Sequence, residues 1–220
     1  TFLLASPWAN VAVTLMLIAF FGWYALLFIM AALLIAIITG LLYQSLEQRH
    51  LVESNTNTVV TTETFSVWQD IKSRWQAFEM NTTNVQRLSK NIVKGAWDIS
   101  HMVLWWIIIG TVLGSIIDGF VPHTIFQEYL GPSAFGLSMT LIVATVIEVC
   151  SEGSAPIAFA IYNQTGAFGN AFIFLMAGVI TDFTEIALIW SNIGKRTAIL
   201  LPLLAVPQAF FISYLMNLYF

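Results

Sequence analysis

Phe174-Leu175-Met176-Ala177-Gly178, near the C-terminal end of the chain, repeats a phrase met near its start, Phe2-Leu3-Leu4-Ala5-Ser6. The same spacing of 172 residues carries Asn10 onto Asp182 and Gly22 onto Gly194. In an apolar chain, a repeat of this kind is the mark of a secondary transporter built from two related halves. The first copy opens in mid-element, so the sequence predicts a repeat whose beginning lies before Thr1.

The setting is a membrane. Hydrophobic residues make up 58% of the chain and charged residues only 9%, against roughly 25% charged in soluble domains. Mean hydropathy is +0.82. Six of the eight Lys and Arg (Arg49, Lys72, Arg74, Arg87, Lys90, Lys94) fall in one polar segment between apolar blocks, which reads as cytoplasmic. Cys150 is the single cysteine, so a disulfide within the chain and a multi-thiolate metal site are both excluded. A contact from one thiolate is not.

Apolar sequence from Phe2 to Tyr43 is roughly twice the ~20 residues that one helix needs to cross the hydrocarbon core. It reads as two helices, the first ending near Gly22 and the second running from Trp23 to Leu42. The polar stretch that follows, with Ser54 to Thr64 rich in Thr and Asn, reads as a loop. Phe65, Trp68, Ile71, Trp75 and Phe78 then recur at helical spacing. Two settings suit such an amphipathic helix: the lipid interface or packing on the rest of the protein. A polar helix over Asn84–Ile99 leads into a span over His101–Phe120, closed by Pro122.

Gly131 to Val149 is apolar enough for a helix, but Cys150-Ser151-Glu152-Gly153-Ser154-Ala155-Pro156 interrupts it. A short helix starting at Pro156 would reach about halfway across the bilayer. A further block, Phe168 to Trp190, is broken between Gly178 and Asp182, and a last span covers Thr197 to Tyr219. Domain boundaries follow: 1–43 as the end of a first transmembrane repeat, 44–99 as a cytoplasmic loop, and 100–220 as the second repeat. Lys195 and Arg196 beside Gly194 argue for the same face as the basic loop. The two copies then run in opposite directions, provided that Gly131 to Thr165 is a re-entrant hairpin that returns to the side it entered from.

Glu148, Glu152, Asp182 and Glu185 lie within this apolar sequence, where a carboxylate costs about 2.5 to 3.5 kcal/mol on insertion scales. Glu148 and Glu152 are spaced i, i+4, and Asp182 and Glu185 i, i+3, so each pair shares a face if the helix persists there. Paired carboxylates raise each other's proton affinity, which suits proton or cation coupling. The competing reading is that they cap broken helices. In the break itself, Gly153 allows a tight turn and Pro156 starts a helix whose free N–H groups favour an anionic or electron-rich ligand. Cys150 reads equally as a packing residue or as a contact within this break. His50, His101 and His123 do not form the paired arrangement of a haem-bearing subunit, and Asp118 and Asn170 read as interface polar groups. No GxSxG, HExxH, Walker A or GxGxxG pattern occurs, so neither an enzyme nor a cofactor is expected.

The stretch Glu148-Val149-Cys150-Ser151-Glu152-Gly153-Ser154-Ala155-Pro156-Ile157-Ala158, followed by Gly166 and Phe174-Leu175-Met176-Ala177-Gly178, resembles the ArsP/YraQ-like family of predicted permeases. Phe2-Leu3-Leu4-Ala5-Ser6-Pro7 with Asn10 is similar to the corresponding phrase of that family's first half. The resemblance implies a polytopic inner-membrane permease, some of whose relatives export trivalent organoarsenicals. It also implies that Cys150 contacts the soft arsenic atom, with Ser151, Gly153 and Pro156 shaping the site. Two departures stand out: the family's first half carries its own cysteine-containing segment, absent here, and the carboxylates are more acidic than a neutral arsenical requires.

The expected molecule is therefore an all-α, polytopic, inverted-repeat permease with broken and re-entrant helices, lacking the start of its first repeat. It would move a small solute, in contact with membrane lipid and without nucleic acid, and a companion chain could supply the missing segment. The rival expectation is a non-transporting membrane anchor that uses the 44–99 loop as a docking platform; a third is a channel.

Overall fold

The structure, a computed structural model, describes residues 2–53, 67–77, 82–120, 122–148 and 151–220; within these, the side chains of residues 67, 74–77, 82–85, 99, 102–103 and 117–118 are not part of the description. Every regular element among the described residues is helical. The chain divides into two compact units, Thr1–Asn55 with Trp106–Phe220, and Thr56–Trp105.

In the smaller unit, α4 (Val67–Ala77) has Trp68 81% exposed and Ile71 49% exposed. Of the other aromatics expected on that face, Phe65 and Phe78 lie outside the described residues, as does the side chain of Trp75. The polar helix and the next span prove to be one helix, α5 (Thr82–Phe120), of 39 residues. No proline or turn signal interrupts it before Pro122, so nothing stops the helix at the change of composition.

The larger unit begins with α1 (Phe2–Ala5), a 3-10 turn over Ser6–Ala9, α2 (Val11–Phe21) and α3 (Ala25–Gln48). Gly22 separates α2 from α3 at φ 61, ψ −145, a conformation open essentially to glycine alone. Two helices are thus formed, as the length of the apolar run requires. After α5 come α6 (His123–Leu130), α7 (Ala134–Ile147), α8 (Ser151–Thr165), α9 (Phe168–Ile180), α10 (Phe183–Asn192) and α11 (Lys195–Tyr219). By length and composition, 11–48, Phe168–Asn192 and Lys195–Tyr219 can cross a membrane, and α6 with α7 forms a further candidate bent by 101°.

One end of this unit gathers the starts of α3 and α9 and the ends of α8 and α11. Phe28 and Phe168 lie 4.4 Å apart and Tyr24 and Phe220 5.5 Å apart, ring centre to ring centre. Asn170, fully buried rather than interfacial, ties the corner together. Its Nδ2 donates to the carbonyls of Leu130 (2.8 Å) and Gly131 (3.1 Å) and to Thr140 Oγ1 (3.0 Å), while its Oδ1 accepts from Asn217 Nδ2 (2.7 Å). Burial of an amide with all these partners is inexpensive, whereas an unpartnered one costs about 1–3 kcal/mol. Gln127 Nε2 donates to the Gln164 carbonyl at 3.1 Å, so the end of α8 returns to the level of α6. α7 and α8 are therefore the two arms of a re-entrant hairpin. At 1.5 Å per residue its tip stands about 20 Å from this end.

At the opposite end the Tyr43 hydroxyl donates to the Thr197 carbonyl at 2.6 Å. Glu53 accepts from the backbone N–H groups of Arg196 (3.2 Å) and Thr197 (3.1 Å) and from Thr197 Oγ1 (3.1 Å), capping α11 from the tail of α3. A side chain at Gly194 would collide with Glu53. Since Tyr24 meets Phe220 and Tyr43 meets Thr197, α3 and α11 run antiparallel. They are counterparts in the 172-residue repeat, so the two copies are inverted.

Candidate functional site

Each copy breaks at its matching residue. In the first, Asn10 adopts an extended conformation (φ −80, ψ 122) and caps α2, its Oδ1 accepting from the Ala12 N–H at 2.9 Å. In the second, Asp182 caps α10, its Oδ1 accepting from the N–H groups of Thr184 (2.7 Å) and Glu185 (3.2 Å). Both free helix N-termini are thereby satisfied by short side-chain oxygens, the residue types that favour this position.

The two residues differ by one group, and the difference has a use. The Asn10 amide also donates, from Nδ2 to Glu152 Oε1 at 3.0 Å, while Ser151 Oγ donates to Glu152 Oε2 at 3.1 Å. An aspartate at position 10 would instead oppose Glu152 with a like charge. The hairpin tip is thus joined to the break of the first copy. On its other arm, Thr181 Oγ1 meets Thr145 Oγ1 at 3.2 Å, joining α7 to the break of the second copy.

Several expected groupings do not form. Glu148 and Glu152 do not share a helical face, because the helix ends between them: Glu148 is the left-handed C-cap of α7 (φ 41, ψ 52) and exposed, and Glu152 lies in the first turn of α8. Asp182 precedes α10 as its cap, which accounts for its carboxylate structurally. Glu185, three residues on, stands where a capping-box side chain would reach back. Its Oε2 is buried without a hydrogen-bond partner among the described residues. Among the described residues no three His, Cys, Asp or Glu side chains gather as a metal site.

Pro156 does not start the helix. α8 begins five residues earlier, at Ser151, with Pro156 inside it. An acidic residue in the first turn suits the N-terminus there, and the proline's missing N–H frees a single carbonyl, that of Glu152. Gly153 is buried, and a side chain at Gly110 of α5 would collide with its backbone, so Gly153 lies where two helix backbones touch. Cys150 lies outside the described residues, between Glu148 and Ser151. Asn10 had no place among the expected site residues; its match to Asp182 in the repeat was the available signal.

The family model ArsP_1, described as "Predicted permease", matches residues 1–218. The chain belongs to this permease family. No curated protein and no solved structure matches it. The permease is a membrane protein whose apolar helices contact lipid and which transports a small substrate. The match covers nearly the whole chain and gives no support to a companion chain.

Proposed function

We propose that this permease is a secondary transporter working by alternating access around the junction of α2, α8 and α10. The observation that carries the reading is the hydrogen bond from Asn10 to Glu152, which joins a broken helix to a re-entrant hairpin at mid-membrane depth. Irregular backbone at that depth is tolerated where protein covers it or where it lines a cavity, and substrate sites of inverted-repeat transporters lie there. The tip would shape the site through Ser151, Gly153 and Pro156. The family resemblance adds Cys150 as the contact for a trivalent organoarsenical or soft-metal species. Coupling to protons runs through Glu148, Glu152, Asp182 and Glu185, of which Glu185 keeps a buried oxygen without a hydrogen-bond partner among the described residues. Arg49, Lys195 and Arg196 share the end where Tyr43 meets Thr197, which favours placing that end in the cytoplasm and the multi-pass chain in the inner membrane.

The test is uptake of a trivalent organoarsenical into everted membrane vesicles over a range of pH. Glu152→Gln and Glu185→Gln should flatten the pH dependence, and Cys150→Ser should abolish most of the uptake. If both carboxylate variants keep the wild-type pH profile, coupling through this cluster is wrong; if Cys150→Ser transports normally, the cysteine only packs. The anchor reading draws on the exposed Trp68 and Trp97 of the smaller unit. It would prevail if the protein co-purified with a stable partner bound through residues 56–105 and showed no uptake.

A further inference from the structure

A crevice of about 200 Å³ opens between α2, α5 and α8, lined by Phe20, Thr111, Gly114, Ser115, Pro156 and Asn163 among others. Pro156 is one helical turn from Glu152, and Asn163 lies in the last turn of α8, so the crevice runs from the end that holds Phe168 and Phe220 to within a turn of the Asn10–Glu152 pair. Its wall on α5 is made without bulk: a Cβ at Gly114 would already lie 3.3 Å from the Pro156 carbonyl oxygen, and one at Gly110 would strike Gly153.

Its polar groups, Thr111, Ser115 and Asn163, carry no charge, and apolar side chains such as Phe20 and Phe159 line the rest. Thr111 Oγ1 donates to the Ile107 carbonyl at 2.7 Å and Ser115 Oγ to the Thr111 carbonyl at 2.8 Å. With their protons used inside the helix, both hydroxyls turn acceptor lone pairs outward. One helical turn from Pro156, Glu152 adds a carboxylate, held by Asn10 and Ser151. Beside this stripe, Ile108 and Val112 form an apolar exposed one, 44% and 52% exposed, so α5 presents a polar and a lipid-compatible face next to each other. Uncharged hydroxyls and an amide accommodate water, and the carboxylate beyond them draws hydronium or a small hydrated cation and repels anions.

We propose that this crevice is the aqueous access path by which a hydrated cation, hydronium included, reaches Glu152 from the end opposite Lys195. The proposal rests on the reading of Glu152 as part of the transport site. It is tested by thiol labelling in membranes, in a Cys150→Ser background that leaves no native cysteine. Thr111→Cys, Ser115→Cys and Asn163→Cys are compared with Val112→Cys, using a cationic and an anionic membrane-impermeant methanethiosulfonate. The crevice cysteines should label at least about tenfold faster than Val112→Cys, with the cationic reagent ahead of the anionic one. Thr111→Cys and Ser115→Cys labelling no faster than Val112→Cys would overturn the proposal, and so would a preference for the anionic reagent. Because labelling needs no transport, fast labelling beside a wild-type protein that shows no uptake leaves the crevice standing and sinks the transporter reading. Silent cysteines beside a wild-type protein that takes up substrate sink the crevice alone.

Discussion

At the level of single residues, Asn10 and Asp182 show how one position of a repeat can be kept for structure and altered for chemistry. Both cap a helix that begins at the break in its copy of the repeat, but only the amide also holds Glu152. Capping and coupling are therefore separable at Asp182. Asp182→Ala should lower stability by about 1 kcal/mol, the usual cost of a lost N-cap, while Asp182→Asn should change it by only a few tenths. Thermal unfolding in detergent measures both, and equal losses would mean that the charge, not the cap, stabilises α10. The acidic residues themselves were legible from sequence, since carboxylates stand out in apolar surroundings. Their grouping was not: spacing along the chain assumed that a helix continued through Glu148–Glu152, and the left-handed turn at Glu148 ends it. Asn10, uncharged and marked in the sequence only by its match to Asp182 and by the family phrase, joined the site when folding placed it against Glu152.

Among the elements, α8 and α11 depart most from what local sequence implies. Pro156 reads as a helix start because proline favours the first turn, yet Ser151 and Glu152 offer an earlier N-terminus and the proline is carried inside. For α11, the cap comes from a residue 143 positions away, Glu53, which no local pattern could reveal. Partial desolvation, the largest single influence, raises the Glu53 pKa, but hydrogen bonds from the Arg196, Glu53 and Thr197 backbone and the Thr197 side chain together hold it below the ordinary carboxylate value of 4.5. The sign follows from linkage: a depressed folded-state pKa gives stability that is complete above the unfolded value and lost as pH falls through the folded one. The difference in thermal midpoint between wild type and Glu53→Gln should thus be constant above roughly pH 5 and shrink as pH falls below 4.5. A difference that grows on acidification would contradict this cap.

For the whole molecule, the echo between the two ends of the sequence becomes a pair of inverted copies. α3 and α11 run antiparallel, with matching breaks at Asn10 and Asp182 and a hairpin reaching the same depth between them. The repeat and its inversion could be read from the chain because pattern and charge are local records of topology. That α5 is continuous, and that Asn170 is buried in the corner joining α6, α7, α9 and α11, could not, because both depend on what packs where. The central claim is that Asn10 and Glu152 act as one unit in transport. It is tested most directly by a double-mutant cycle on the initial rate of organoarsenical uptake into vesicles, with Asn10→Ala, Glu152→Gln and the double variant. Each single change should slow uptake by about tenfold, and the double should be no slower than the slower single, since the second change removes a partner already lost. Losses that multiply to about a hundredfold, or single variants that transport like wild type, would contradict the claim.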